Sequence, residues 1–120
     1  MEKHKKSIVV WYSIIEDKLF LKVPTDIFGR IPSELQNYLE KVGIFEGRGN
    51  VLMLVKSNQK PEEIVKTPIN GKNKEYIFLP ASRNLMKEKD YQEFEEKILV
   101  LSTFEAYSKR KNLKKEKILM

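Results

Sequence analysis

The chain has no cysteine in its 120 residues, which excludes disulfides, thiolate metal sites and thiol nucleophiles. It has one histidine, His4, four residues from the start. One imidazole cannot build a multi-histidine zinc site, and one near a chain end is badly placed for a triad that needs it buried and oriented. Aspartate occurs only three times, as Asp17, Asp26 and Asp90. Long apolar stretches are missing too. No run exceeds five residues, whereas a membrane span needs about 20, and no secretory leader is predicted at the start.

What is present is a densely charged chain with enough apolar residues for a core: 33% charged and 41% hydrophobic. That balance excludes a mostly disordered polymer, and the length is that of one domain. The formal net charge of +6 invites a nucleic-acid reading. Its distribution moves that reading to the ends. Residues 109–120 carry six bases and one acid, residues 1–6 carry three lysines and one glutamate, and residues 7–108 sum to −1. The expected organisation is a basic N-terminal tail (1–6), a single domain (7–108) and a basic C-terminal tail (109–120) that acts as an interaction arm or as a solubilising end. Nineteen lysines and fourteen glutamates against three glutamines match the bias of heat-adapted proteins, a bias that low-GC coding also produces.

Periodicity supplies the elements. Ser7–Ile15 is β-branched and aromatic almost throughout and reads as an interior strand apolar on both faces. Lys18–Val23 returns as a hairpin partner. Glu16-Asp17 is a poor two-residue turn, so a bulge or longer loop is expected between them. Pro24–Arg30 reads as a connecting loop. A helix follows, with Pro32 in its first turn, Ser33 and Gln36 spaced as a capping box, an apolar stripe through Ile31, Leu35, Tyr38, Leu39 and Val42, and Gly43 as its stop. A turn at Gly47-Arg48-Gly49-Asn50 leads to a strand at Val51–Val55, a short helix at Pro61–Lys66, a tight turn at Asn70-Gly71 and a strand at Glu75–Leu79. The last helix should be the longest, with Asp90 and Glu93 spaced as a capping box and Tyr91, Phe94, Ile98, Leu101, Phe104 and Tyr107 facing inward. The run Ile98–Leu101, taken alone, also reads as a strand. The expected fold is α+β, or α/β: a small four-stranded mixed sheet in the order β-β-α-β-(short α)-β-α, with one crossover helix and one long C-terminal helix.

Motifs for chemistry are weak. Glu16-Asp17-Lys18 and Glu95-Glu96-Lys97 have a nuclease-like Glu-x-Lys form, but the abundance of glutamate and lysine generates as many by chance. The glycine-rich loop at Arg48 offers backbone amides and a cation to a phosphate. It lacks a Gly-Lys-Ser/Thr ending and precedes a strand, so the P-loop and dinucleotide fingerprints fail. The strand aromatics Trp11, Tyr12, Phe20, Tyr76 and Phe78 lack the signature of RNA-recognition domains and read mainly as core. Trp11 and Tyr12 must point to opposite faces. The N-terminal hairpin followed by Phe28-Gly29-Arg30-Ile31-Pro32-Ser33-Glu34-Leu35, with Tyr76-Ile77-Phe78-Leu79-Pro80 later, resembles the small bacterial YcgL proteins; the resemblance covers about half of the chain and implies no activity.

The sequence therefore predicts a small non-enzymatic, cytoplasmic binding protein without cofactor or metal. Its basic ends would contact nucleic acid or an acidic partner through Lys109, Arg110, Lys111, Lys114, Lys115 and Lys117, with Arg48 as an additional cation. The alternative is a homodimeric structural or regulatory interaction module, since the strands carry more apolar surface than two helices readily cover. A metal-dependent hydrolase using Asp26, Glu46 or Glu75 is the remote third.

Overall fold

The computed structural model describes the backbone of residues 5–119 and the side chains of residues 5–103. Nine elements follow one another: β1 (Lys6–Ile15), β2 (Lys18–Lys22), α1 (Ser33–Val42), β3 (Gly43–Arg48), β4 (Val51–Ser57), α2 (Pro61–Ile64), β5 (Ile69–Gly71), β6 (Lys74–Pro80) and α3 (Glu88–Leu119). The six strands form one sheet in the order β3-β4-β2-β1-β6-β5. All neighbours are antiparallel except β1 and β6, which pair in parallel from Lys6↔Lys74 to Tyr12↔Pro80. The fold is thus mixed α+β with a long C-terminal helix, and the sheet has six strands where the sequence predicts four.

The two extra strands are those whose local sequence looks like turns. Gly43–Arg48 pairs with β4 through the register Phe45↔Leu54 to Arg48↔Val51, with a bulge at Ile44/Phe45. The expected four-residue turn therefore shrinks to Gly49-Asn50, and Arg48 sits in a strand. Ile69–Gly71 pairs with β6, which moves the turn from Asn70-Gly71 to Lys72-Asn73, where Asn73 takes a left-handed φ of 63°. The β1–β2 connection is a two-residue turn after all. Ile15 pairs with Lys18, and Glu16 and Asp17 both adopt positive φ, 50° and 64°, as a type I′ turn requires. The strand pairing on either side, not the turn sequence, holds these two residues there.

The crossover also differs from expectation. The strand after α1 is β3, not Val51–Val55. Because β2 and β3 both run antiparallel to β4, they share a direction, and β4 slots between them. Neither expected capping box forms. The N-cap of α1 is Pro32, with no side-chain cap, and Gln36 instead bonds Glu40 at 3.0 Å. Helix α3 starts at Glu88, so Asp90 lies within its first turn and cannot be its N-cap. Residues Ile98–Leu101 are helical. Gly43 does end α1, but with an extended φ of 176°. Glycine is needed there for closeness: a Cβ would lie 2.6 Å from the Lys56 carbonyl oxygen and 2.7 Å from Leu54 Cδ1.

Alternation along the central strands produces two cores, one on each face of the sheet. On one face Val10, Leu19, Leu21, Leu54, Tyr76 and Phe78 pack under Leu35, Leu39 and Val42 of α1 and Ile64 of α2. On the other, Phe20, Val51 and Met53 meet Phe94, Ile98 and Leu101 of α3. Trp11 and Tyr12 are half-buried, Trp11 against the α3 side and Tyr12 against the α1 side, as their alternation demands. Helix α1 crosses its face obliquely. Its start lies over β5, where the Glu34 carboxylate is 3.1–3.3 Å from where a Gly71 Cβ would sit. Its end is tied to β4 by the Ser57 hydroxyl, which donates to the Val42 carbonyl at 2.6 Å. This oblique path obliges the chain leaving β2 to cross from the sheet to the start of α1, and the segment that does so is the candidate site.

Candidate functional site

The connection from Val23 to Pro32 is pinned at its start by the Val23 amide, which donates to the Asn50 carbonyl at 2.9 Å. Its middle is organised by one carboxylate. Asp26 Oδ1 accepts the backbone amides of Phe28 at 2.8 Å and Arg30 at 2.9 Å, and Oδ2 accepts Arg30 Nε at 3.0 Å. The main chain closes the same ring: the Asp26 amide donates to the Arg30 carbonyl at 2.9 Å, and the Gly29 amide donates to the Asp26 carbonyl at 3.0 Å. Gly29 has φ of 77°, a conformation that costs a side chain and that glycine adopts freely. The Arg30 guanidinium lies 5.0 Å from the centroid of the Phe28 ring. Three hydrogen bonds stabilise the charged form of Asp26, that from the Arg30 amide most, and its pKa falls below the ordinary aspartate value.

This cage holds two large apolar side chains out in water: Ile27 is 92% exposed and Phe28 73%. Beside them opens a groove of about 700 Å³ between the loop, α1 and the edge strand β3. Ile31, Leu39, Phe45 and Leu52 give it apolar walls; Arg30, Gln36 and Glu40 add polar groups, and Ile44, 59% exposed, borders it. A second cavity of about 460 Å³ is lined by the same loop, β1, β6 and the start of α1, among others by Ile8, Thr25, Ser33, Lys74 and Tyr76. Tyr76 is fully buried, and its hydroxyl is the one buried side-chain polar atom without a hydrogen-bond partner among the described residues. Burial first, and then the charge and hydrogen-bonding reach of the Glu34 carboxylate that faces the hydroxyl, raise its pKa. A third cavity of about 470 Å³ lies between α3 and the end of β1.

The residues singled out from sequence are scattered. Lys109, Arg110, Lys111, Lys114, Lys115 and Lys117 fall on the backbone of α3, and their side chains lie outside the described residues; His4 lies outside them altogether. Arg48 is exposed at the end of β3. Asp26, Glu46 and Glu75 belong to the loop, β3 and β6 respectively, and no group of three histidine, cysteine or carboxylate side chains able to hold a metal occurs among the described residues. No helix among them is long and apolar enough to cross a membrane. Sequence reasoning gave Ile27 and Phe28 no functional role and read Tyr76 mainly as core. Two adjacent large apolar residues between Asp26 and Gly29, in a segment bounded by Pro24 and Pro32, were the available signal for the loop.

Comparison of the chain with known protein families, with curated proteins and with solved structures finds no match. The resemblance of Phe28–Leu35 and Tyr76–Pro80 to YcgL proteins therefore assigns no family.

A group whose pKa is depressed by folding stabilises the fold fully above its unfolded value and loses that contribution as pH falls through the folded value. The Phe28 and Arg30 amide resonances are therefore expected to titrate together in an NMR pH series, with a midpoint below the ordinary aspartate value of about 3.9. In Asp26→Asn that transition disappears. A midpoint at or above the ordinary value in the unaltered chain would contradict the cage.

Proposed function

We propose that the protein is a non-enzymatic interaction module that self-associates, with Ile27 and Phe28 of one copy seated in the groove beside the loop of the other. The carrying observation is the Asp26 cage, which fixes an Ile-Phe pair in solvent. An exposed apolar pair held in place has no role inside its own fold, whereas pre-organised apolar anchors in a fitting pocket dominate interface energetics. A second copy is favoured as occupant because projection and recess lie next to each other on one surface. A two-fold contact needs both halves on the same patch. The groove's volume of about 700 Å³ falls in the range that takes a drug-sized ligand, which is more than two side chains require.

Sedimentation velocity over a concentration series tests this. The unaltered chain should form dimers. Phe28→Ser, at a residue too exposed to matter for folding, should raise the dimer Kd by at least about thirtyfold, the equivalent of about 2 kcal/mol for an interface anchor. An unaltered chain that stays monomeric at the highest concentration it tolerates, or a Phe28→Ser chain that dimerises equally well, would overturn the reading.

A second reading rests on the six bases and one acid of residues 109–120: an arm for nucleic acid. Its mark is oligonucleotide binding that weakens steeply with salt and vanishes when residues 109–120 are removed. Absence of binding by the intact chain at low salt would end it.

A further inference from the structure

Strand β3 forms one outer edge of the sheet. Its hairpin with β4 turns in two residues, Gly49-Asn50, and closes on the pair Arg48↔Val51. A two-residue hairpin closes on a pair that exchanges both ladder hydrogen bonds, and bonded and non-bonded pairs alternate from there. The amides and carbonyls of Arg48 and Glu46 therefore face β4, and those of Gly47 and Phe45 face away from the sheet. Neither Gly47 nor Phe45 makes a main-chain hydrogen bond to anything beyond β4 among the described residues.

Sheets blunt such an edge with proline, lysine, shortness or a bulge. The far edge, β5, is three residues long, with the Glu34 carboxylate standing over Gly71. Strand β3 has six residues and neither proline nor lysine. Its bulge, at Ile44/Phe45, disturbs only the half nearest α1 and leaves Phe45–Arg48 regular. Phe45 packs toward the α1 face, so Glu46 and Arg48 share the α3 face. Both are exposed, and neither has an ion pair among the described residues.

We propose that β3 pairs antiparallel with β3 of a second copy across a two-fold axis at Gly47, joining the two sheets into one. This rests on the self-association proposed above and names a second part of that interface. The two parts are continuous, since Gly43, Ile44 and Phe45 of the same strand line the groove that receives Ile27 and Phe28. A two-fold axis normal to the sheet keeps every residue on its own face, so the open groups meet only in registers centred on Phe45, Glu46 or Gly47. The first needs Gly43 and Ile44, beyond the bulge. The second sets the two Glu46 carboxylates side by side. The third exchanges both hydrogen bonds between the two Gly47 residues and puts each Glu46 directly opposite the other copy's Arg48, with Cβ atoms about 4.5–5.5 Å apart. Opposite charges so placed stabilise the pairing and like charges destabilise it. Gly47 also puts no side chain at the axis on the α1 face, the side on which the groove opens.

The test is sedimentation velocity of the full chain with a charge-swap pair, together with amide exchange. Arg48→Glu and Glu46→Arg each turn two attractive pairs into repulsive ones and should each raise the dimer Kd at least about fivefold. The double variant E46R/R48E restores opposite charges and should return the Kd to within about threefold of the unaltered chain. In the dimer the Gly47 amide should exchange at least about tenfold more slowly than in the same chain diluted to monomer. A dimer indifferent to both single reversals, a double variant no better than either, or a Gly47 amide equally open in dimer and monomer would overturn the edge pairing. Those results leave the seating of Phe28 standing, which Phe28→Ser tests separately. A Phe28→Ser chain that dimerises as before and still responds to the charge swap supports the edge pairing and removes the Phe28 anchor instead. A chain monomeric at every concentration would overturn both.

Discussion

Strand β2 is where the rest of the molecule is decided. Leu19 and Leu21 enter one core and Phe20 the other, all three essentially inaccessible to solvent. A strand buried on both faces gains roughly 1.5–3 kcal/mol for each such side chain only if helices cover both sides of the sheet. Helices α1 and α2 supply one cover and α3 the other. Because α1 starts over β5 and ends against β4, the ten residues that lead from β2 to it have to leave the sheet, turn and descend again. Asp26 makes that turn with its own side chain, and the turn leaves Ile27 and Phe28 outside.

The loop therefore has two sides with different chemistry. Its outer side is apolar and projecting, next to a groove of matching character. Its inner side roofs a cavity lined among others by Ile8, Thr25, Ser33 and Lys74. Asp26 and Arg30 belong to both, since they form the cage above and contribute to the wall below. Their mutual neutralisation lets the loop keep a fixed shape without adding charge to either surface.

Much of the architecture was legible in the sequence, because burial on both faces leaves uninterrupted apolar runs. Ser7–Ile15, Lys18–Val23, Val51–Val55 and Glu75–Leu79 all mark strands, and the stripe Phe94, Ile98, Leu101 marks the inner face of α3. The edge strands were not legible. Gly43-Ile-Phe-Glu-Gly-Arg48 has solvent on its outer half and glycine at two positions, and Ile69-Asn70-Gly71 is three residues long. Each becomes a strand only because a neighbour, β4 or β6, offers a ladder. The Glu16-Asp17 turn was hidden for a related reason: strand pairing forces positive φ on residues that do not favour it. Charge arithmetic drew attention to the chain ends, where positive residues are concentrated. The candidate site depends instead on which groups three-dimensional packing leaves uncovered, as with Ile27 and Phe28, and one-dimensional pattern carries little of that.

A fixed loop is what both surfaces require, and backbone order is its most direct measure. Amide order parameters from nitrogen-15 relaxation of the full chain should put Ile27 and Phe28 near the value of the β1 and β2 amides, about 0.85. Values below about 0.6 at these two residues would mean that the Asp26 bonds do not hold the loop, and would contradict the anchor and the roofed cavity together.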